Sequence, residues 1–238
     1  MSSRKGQKSA SRVVREQLAR EQRRRRTLWT SVAAVAVLVI AGLIGWSVLA
    51  GQRSADYTAP TGANDAGTGV VAGSGPVTVD VYEDFLCPAC KQFEQTTGPT
   101  LDTLIAEGKA RVVYHPVAYL NRYSTTDYST RSSAASGCAA EGGRYREYAK
   151  ALFAQQPPEG GAGLDDDKLT EIAASVGIDR DGFASCLREG TFKPWTEHVT
   201  EEASRAGVTG TPTILVDGEP VTDRSPAGLT AAVEAASR

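Results

Sequence analysis

Apolar and polar residues alternate over Val77-Thr78-Val79-Asp80-Val81-Tyr82. This predicts a β-strand with Val77, Val79 and Val81 on one face and Thr78, Asp80 and Tyr82 on the other. From Lys91 to Glu107 the spacing becomes helical, with Phe93, Leu101, Leu104 and Ile105 as core positions and Gly108 as the stop. Arg111 to Pro116 predicts a second strand, ended by its proline. A long middle section, about 124–206, reads as helices in pieces. One carries Tyr145, Tyr148, Leu152 and Phe153 and ends at Pro157-Pro158. Another places Leu169, Ile172, Ala173 and Val176 at i, i+3, i+4, i+7 between Asp165–Asp167 and Gly177, and a third opens at Asp179 and includes Cys186. The end of the chain returns to β: Thr213 to Val216 as a strand, Asp217-Gly218 as a hairpin turn, and Glu219 to Val221 as an edge strand, because Pro220 cannot donate to a ladder. Ser225-Pro226 caps a last helix with Leu229, Val233 and Ala236 inward.

Ahead of this pattern lies a different one. A near-continuous apolar run, Val32 to Ala50, spans 19 residues, about 28 Å as a helix and enough to cross a bilayer core. Trp29 and Trp46 stand near its ends. Composition changes what the run means. The 238 residues carry a net charge of −2, yet residues 1–26 hold ten Lys or Arg against two acids, and the rest holds sixteen against twenty-six. Four consecutive arginines, Arg23 to Arg26, abut the apolar run on one side only, which orients it with the tail in the cytoplasm and the acidic body outside. The membrane accounts for the arginines better than nucleic acid does. A cleaved signal peptide is the competing reading, with Val48-Leu49-Ala50 as a cleavage site, but the run exceeds the usual apolar region of such signals. The expected organisation is a basic tail (1–26), a transmembrane anchor (27–51), a flexible linker poor in large apolar residues (52–75), and a folded domain (76–238).

The candidate chemistry sits where the first strand meets the first helix, in Phe85-Leu86-Cys87-Pro88-Ala89-Cys90. Pro88 suits the first helical turn. Cys87 then lies at the helix N-terminus, where free N–H groups and the positive dipole end favour its thiolate, and Cys90 follows one turn later within disulfide reach. A strand that delivers two thiols onto a helix N-terminus is built for thiol–disulfide exchange. The competing reading is half of a zinc site completed by Cys138 and Cys186. Those two are far apart and form no second knuckle, and neither His115 nor His198 pairs with a cysteine. No metal is expected. Glu83 and Asp84, just upstream, are candidate proton relays for Cys90, with an ordinary solvated acidic pair as the alternative. Glu94 is expected to be a helix-surface or structural residue, and His115 structural.

The order strand, Cys-x-x-Cys helix, strand, helical insert, hairpin, helix resembles the thioredoxin fold with a helical insertion, as in the DsbA-type thiol oxidoreductases. The residues that carry the resemblance are Phe85 to Cys90, Phe93-Glu94, and Gly210-Thr211-Pro212-Thr213 before the hairpin. The chain looks most like the membrane-anchored, secreted-side members of high-GC Gram-positive bacteria. The expected fold class is therefore α/β, thioredoxin-like, with an inserted helical subdomain (about 124–206) and one preceding transmembrane helix. The resemblance implies a cis Thr211–Pro212 bond beside the active-site cysteines, where Thr211 would offer its backbone to an extended substrate. It also implies a redox-active Cys87–Cys90 disulfide in place of any cofactor. Free cysteines are a liability outside the cell, and the relatives resembled carry a second bond, so a structural Cys138–Cys186 disulfide is expected. The implied activity is disulfide donation to exported proteins with cysteines, recharged by a membrane quinone-linked oxidase such as a vitamin K epoxide reductase-like protein. The Pro-Ala pair between the cysteines lacks the histidine of the best-known DsbA-type pair. A reductase or isomerase, for instance in cytochrome c maturation, therefore stays open, as does a tethered module binding copper(I) or zinc.

Overall fold

In the computed structural model, which describes residues 57–238, a short strand β1 (Val70–Ala72) precedes the alternating run, and that run forms β2 (Val77–Glu83). Val77, Val79 and Val81 are buried, while Thr78 and Asp80 are partly exposed, as the alternation requires. The apolar run after the first helical region forms β3 (Ala110–Pro116). It lies parallel to β2 in the register Val77↔Ala110 to Glu83↔Pro116 and antiparallel to β1. Val112 to Pro116 are all buried, so both faces of β3 are covered.

Lys91 to Glu107 is two helices rather than one: α1 (Pro88–Thr96) and α2 (Gly98–Ala106). Pro99 has no N–H for the i−4 carbonyl and its ring crowds the preceding turn, which breaks the helix at Thr97. Thr97 itself is fully buried. Phe93, Leu101 and Leu104 are buried and Ile105 packs at the core's margin.

The insert comprises a 3-10 turn (Asn121–Tyr123), α3 (Tyr128–Glu141), α4 (Tyr145–Ala154), α5 (Asp166–Ser175), α6 (Arg180–Glu189) and α7 (Lys193–Arg205). Its own core is aromatic and aliphatic, with Tyr148, Leu152, Phe153, Leu169, Ile172 and Trp195 almost fully buried. Each such side chain contributes on the order of 1.5–3 kcal/mol of transfer free energy. The chain then re-enters the sheet as β4 (Thr213–Val216), turns through Asp217 (φ 47°) and Gly218 (φ 85°), and leaves through β5 (Glu219–Pro220). Two successive positive φ angles give the turn whose twist matches a hairpin. The sheet order is β1-β3-β2-β4-β5. The last helix, α8 (Pro226–Ala236), is capped by the Ser225 side chain, which accepts from Gly228 N, and packs on β2 and β4.

The expectation of a linker without a core through residue 75 does not hold from Tyr57 onward. β1 adds to the sheet, and Val71 N donates to Gly62 O while Ala63 bridges to Val70. Tyr57 stacks on His198, with ring centroids 4.0 Å apart, and the buried Trp195 donates through Nε1 to Gly67 O. This segment is held by main-chain hydrogen bonds and by aromatic residues of α7, so its own scarcity of apolar residues concealed it. The tail and anchor expected over 1–51 lie outside the described residues. Among the described residues, no helix is long and apolar enough to cross a membrane.

Candidate active site

Cys87 occupies the N-cap of α1 in an extended conformation (φ −73°, ψ 116°), with Pro88 in the first turn. Its carbonyl accepts from Cys90 N and Lys91 N, and its own N–H donates to Asp84 O. Both cysteines are free thiols, and they differ in access: Cys87 is 6% exposed and Cys90 1%. Pro88 and Ala89, between them, are exposed.

The two sulfurs are treated in opposite ways. The Cys90 thiol donates to the Cys87 sulfur, and the Thr211 side chain and the N–H groups of Cys90 and Ala89 add to it. Together they outweigh burial and bring the Cys87 pKa down to about 5. Burial and the adjacent Cys87 push the Cys90 thiol well above its ordinary value. Near neutral pH Cys87 therefore favours the thiolate while Cys90 keeps its proton.

The loop before β4 closes the site. Thr211–Pro212 is a cis peptide, and Cys87 Sγ lies 3.4 Å from Thr211 O. Pro212 is buried, and its carbonyl accepts from Arg224 Nη1 at 2.7 Å. Arg224 is in turn tied by its own carbonyl to the Thr97 hydroxyl, so the break between α1 and α2 braces the proline loop.

Glu83 and Asp84 are both buried, which excludes a solvated acidic pair. They face different surroundings. The Asp84 carboxylate accepts from Leu86 N (2.9 Å), Ser129 Oγ (2.8 Å) and Leu120 N (3.0 Å), and burial lifts its pKa to about 6 against these bonds, with the Cys87 charge adding to the rise. Glu83 accepts from Tyr145 OH at 3.3 Å; burial, reinforced by Glu94 and opposed by Arg146, lifts its pKa to about 8. Glu94, expected at the helix surface or in a structural role, is 8% exposed and pairs with Arg146 Nη1 at 2.7 Å. His115 is held between Thr68 O and Asp80 and stacks on Tyr82. Cys138 and Cys186 are bonded to each other, joining α3 to α6, and so do not complete a four-thiolate zinc set with Cys87 and Cys90.

Several residues at the site carried no sequence signal. Gln156 Nε2 donates to both Phe85 O and Cys87 O at 2.9 Å. Ser129, Tyr145 and Arg146 act through partners 45 or more residues away, and Arg224 through Pro212, 12 residues before it. Only a tertiary contact gives each of them its meaning.

Comparison with known proteins agrees with this geometry. A family model described as thioredoxin matches residues 65–235. The crystal structure of reduced DsbA from Mycobacterium tuberculosis is 31% identical, with a TM-score of 0.63 over 71% of this chain and 91% of that one. The reduced disulfide bond oxidoreductase DsbG of the same organism is also 31% identical, with a TM-score of 0.61 over 73% and 85%. Among curated proteins, the serine/threonine-protein kinase PknE of Mycobacterium tuberculosis is 31% identical over 157 residues, 60% of this chain. The chain spans 28% of that kinase's length.

Proposed function

The chain belongs to the thioredoxin family, as a DsbA-like thiol-disulfide oxidoreductase, and from that premise we propose that it donates disulfides to exported proteins from the Cys87–Cys90 pair. The observation that carries the direction is the placement of the two sulfurs: Cys87 at the N-cap of α1, which favours its thiolate, and Cys90 buried behind it, which favours the thiol. A Cys87 held as thiolate stabilises the reduced form, and a protein whose reduced form is stabilised is an oxidant.

With the Cys87–Cys90 disulfide formed, a substrate thiolate attacks Cys87 Sγ, the more exposed sulfur. The S–S bond breaks, and Cys90 leaves as a thiolate that takes up a proton, in keeping with its high affinity for one. Glu83, whose pKa burial lifts to about 8, and Asp84, whose pKa burial lifts to about 6 and whose carboxyl feels the Cys87 charge, are the two buried carboxyls proposed to exchange that proton. The substrate's second thiolate then attacks its own sulfur in the mixed disulfide, and Cys87 departs as a stable thiolate. Two electrons have passed from substrate to protein. Thr211, beside Cys87, presents the backbone along which an extended substrate lies, with Pro212 shielding the sulfurs.

The proposed place of work is outside the cytoplasm, anchored by residues 27–51. The basic residues before that run, and a second disulfide that persists only in an oxidising compartment, support it. Recharging needs a two-electron acceptor, proposed to be a membrane quinone-linked oxidase of the vitamin K epoxide reductase-like kind.

The test is the reduction potential of the pair, measured by equilibration in glutathione buffers, alkylation and peptide mapping. A value near about −120 mV fits a disulfide donor; one near about −270 mV makes the protein a reductase and overturns the direction. A Cys87→Ser variant that still oxidised a reduced protein would overturn the assignment of Cys87.

A further inference from the structure

Gln156 stands just beyond α4, in the insert, 69 residues from Cys87 in the chain. Its carboxamide nitrogen meets two carbonyl oxygens of the catalytic loop, Phe85 O and Cys87 O, both at 2.9 Å. A primary amide has two N–H donors on one nitrogen, and both are used. The other side of the same loop is held by Asp84: its carboxylate accepts from Leu86 N and its carbonyl from Cys87 N. The stretch from Phe85 to Cys87 is thus gripped by its N–H groups from one residue and by its carbonyls from another. Gln156 is itself placed by its N–H on Phe153 O and by Pro157, which confines the residue before it to extended backbone.

We infer that Gln156 is the positioning residue for the Cys87 thiolate, through which the helical insert sets the reactivity of the pair. The inference rests on the reading of Cys87 as the attacked sulfur. Cys87 O is the partial negative charge closest along the chain to that sulfur, and the Gln156 donors oppose it. They also fix the turn that aims Sγ at Thr211. A donor is required at this point: an acceptor would face two carbonyl oxygens, and asparagine is one methylene short of spanning to both.

Two variants of the full chain separate positioning from mere packing. Gln156→Glu keeps the shape but, once ionised, sets a negative charge against both carbonyls. Gln156→Met keeps the length and removes the donors. The reading is the rate of oxidation of a reduced peptide, taken as the ratio of variant to parent at each pH so that titration of the peptide cancels. For Gln156→Glu the ratio is expected to fall at least about tenfold near pH 8 and to recover to within about threefold near pH 5, because the two facing carbonyl oxygens raise the carboxyl above its free value of about 4.3 and return a donor to it there. For Gln156→Met a loss of several-fold is expected at both pH values with the unfolding midpoint retained. A Gln156→Glu ratio that does not change with pH, or a Gln156→Met variant equal to the parent, overturns the inference. If Gln156→Glu fails to fold, the Gln156→Met result decides. Should Cys87→Ser in the parent retain activity, the failure belongs to the reading of Cys87 and not to Gln156.

Discussion

Glu83 and Asp84 are consecutive, yet Glu83 ends β2 and Asp84 begins the catalytic loop, and the two carboxyls meet different neighbours. Asp84 meets three donors; Glu83 meets one phenol and a buried cluster in which Glu94 already claims a bond from Arg146. Burial lifts both; at Glu83 the Glu94 charge adds to it, whereas at Asp84 three donors oppose it, so Glu83 holds its proton the more tightly. The consequence for stability has a definite sign. A carboxyl whose folded pKa lies at about 8, against 4.5 when free, binds its proton more tightly in the folded state. Its contribution is complete below about pH 4.5 and is lost as the pH rises through about 8. Glu83→Gln removes that titration. Thermal unfolding of the variant should therefore fall less than the parent's between pH 5 and about pH 8.5, and parallel slopes would sink the assignment. Both residues were visible in the sequence as an acidic pair beside the cysteines. Which one is saturated with donors was not, because Ser129, Leu120 and Tyr145 come from the insert and its approach.

At the scale of elements, the least legible was α3. Its sequence from Tyr128 to Glu141 is mostly Ser, Ala and Gly, without an apolar stripe, yet eleven of its residues are buried. The serines bond back to the helix, Ser132 to Tyr128 O and Ser136 to Ser133 O, and Ser133 reaches Pro116 O. Small side chains with their hydroxyls satisfied allow close approach from several sides, and hydropathy alone does not register that. Gly137 shows the tightness: a Cβ there would lie 2.7 Å from the Phe192 ring. Alanine improves helix propensity by about 1 kcal/mol, but it would displace a buried ring next to the Cys138–Cys186 bond. Gly137→Ala should cost about 1–3 kcal/mol in urea unfolding. A stabilised variant would mean that Phe192 moves freely. The elements with a strong period or strong punctuation, β2, α5, the hairpin and α8, fall where the pattern placed them, except that Ala236, expected inward on α8, is exposed because the helix ends there at the surface. The single helix expected after Cys90 failed at Pro99, which suits the first turn of a second helix but not the interior of one.

For the whole molecule, the Cys138–Cys186 bond closes a loop of 48 residues within the insert. By chain entropy that is worth about 4 kcal/mol, an enthalpic share being disputed. Replacing both with serine should lower the unfolding free energy by about 2–4 kcal/mol and leave the Cys87–Cys90 potential close to the parent's. A large change in that potential would show that the bond tunes the active site as well. The fold class, the catalytic loop and the proline loop were legible because each is local in sequence. The start of the domain was not, since residues 57–75 are secured by partners on β3 and α7.

Those same residues have a bearing on solubility. An unpaired strand at the border of a sheet is a template onto which other extended chains add. Here the outer side of β1 is crossed by Gly62 and Ala63, and at the far border β5 is two residues long and carries a proline without an N–H. Both borders thus resist strand addition, and a protein proposed to work among unfolded, β-prone chains is shielded from co-aggregating with them.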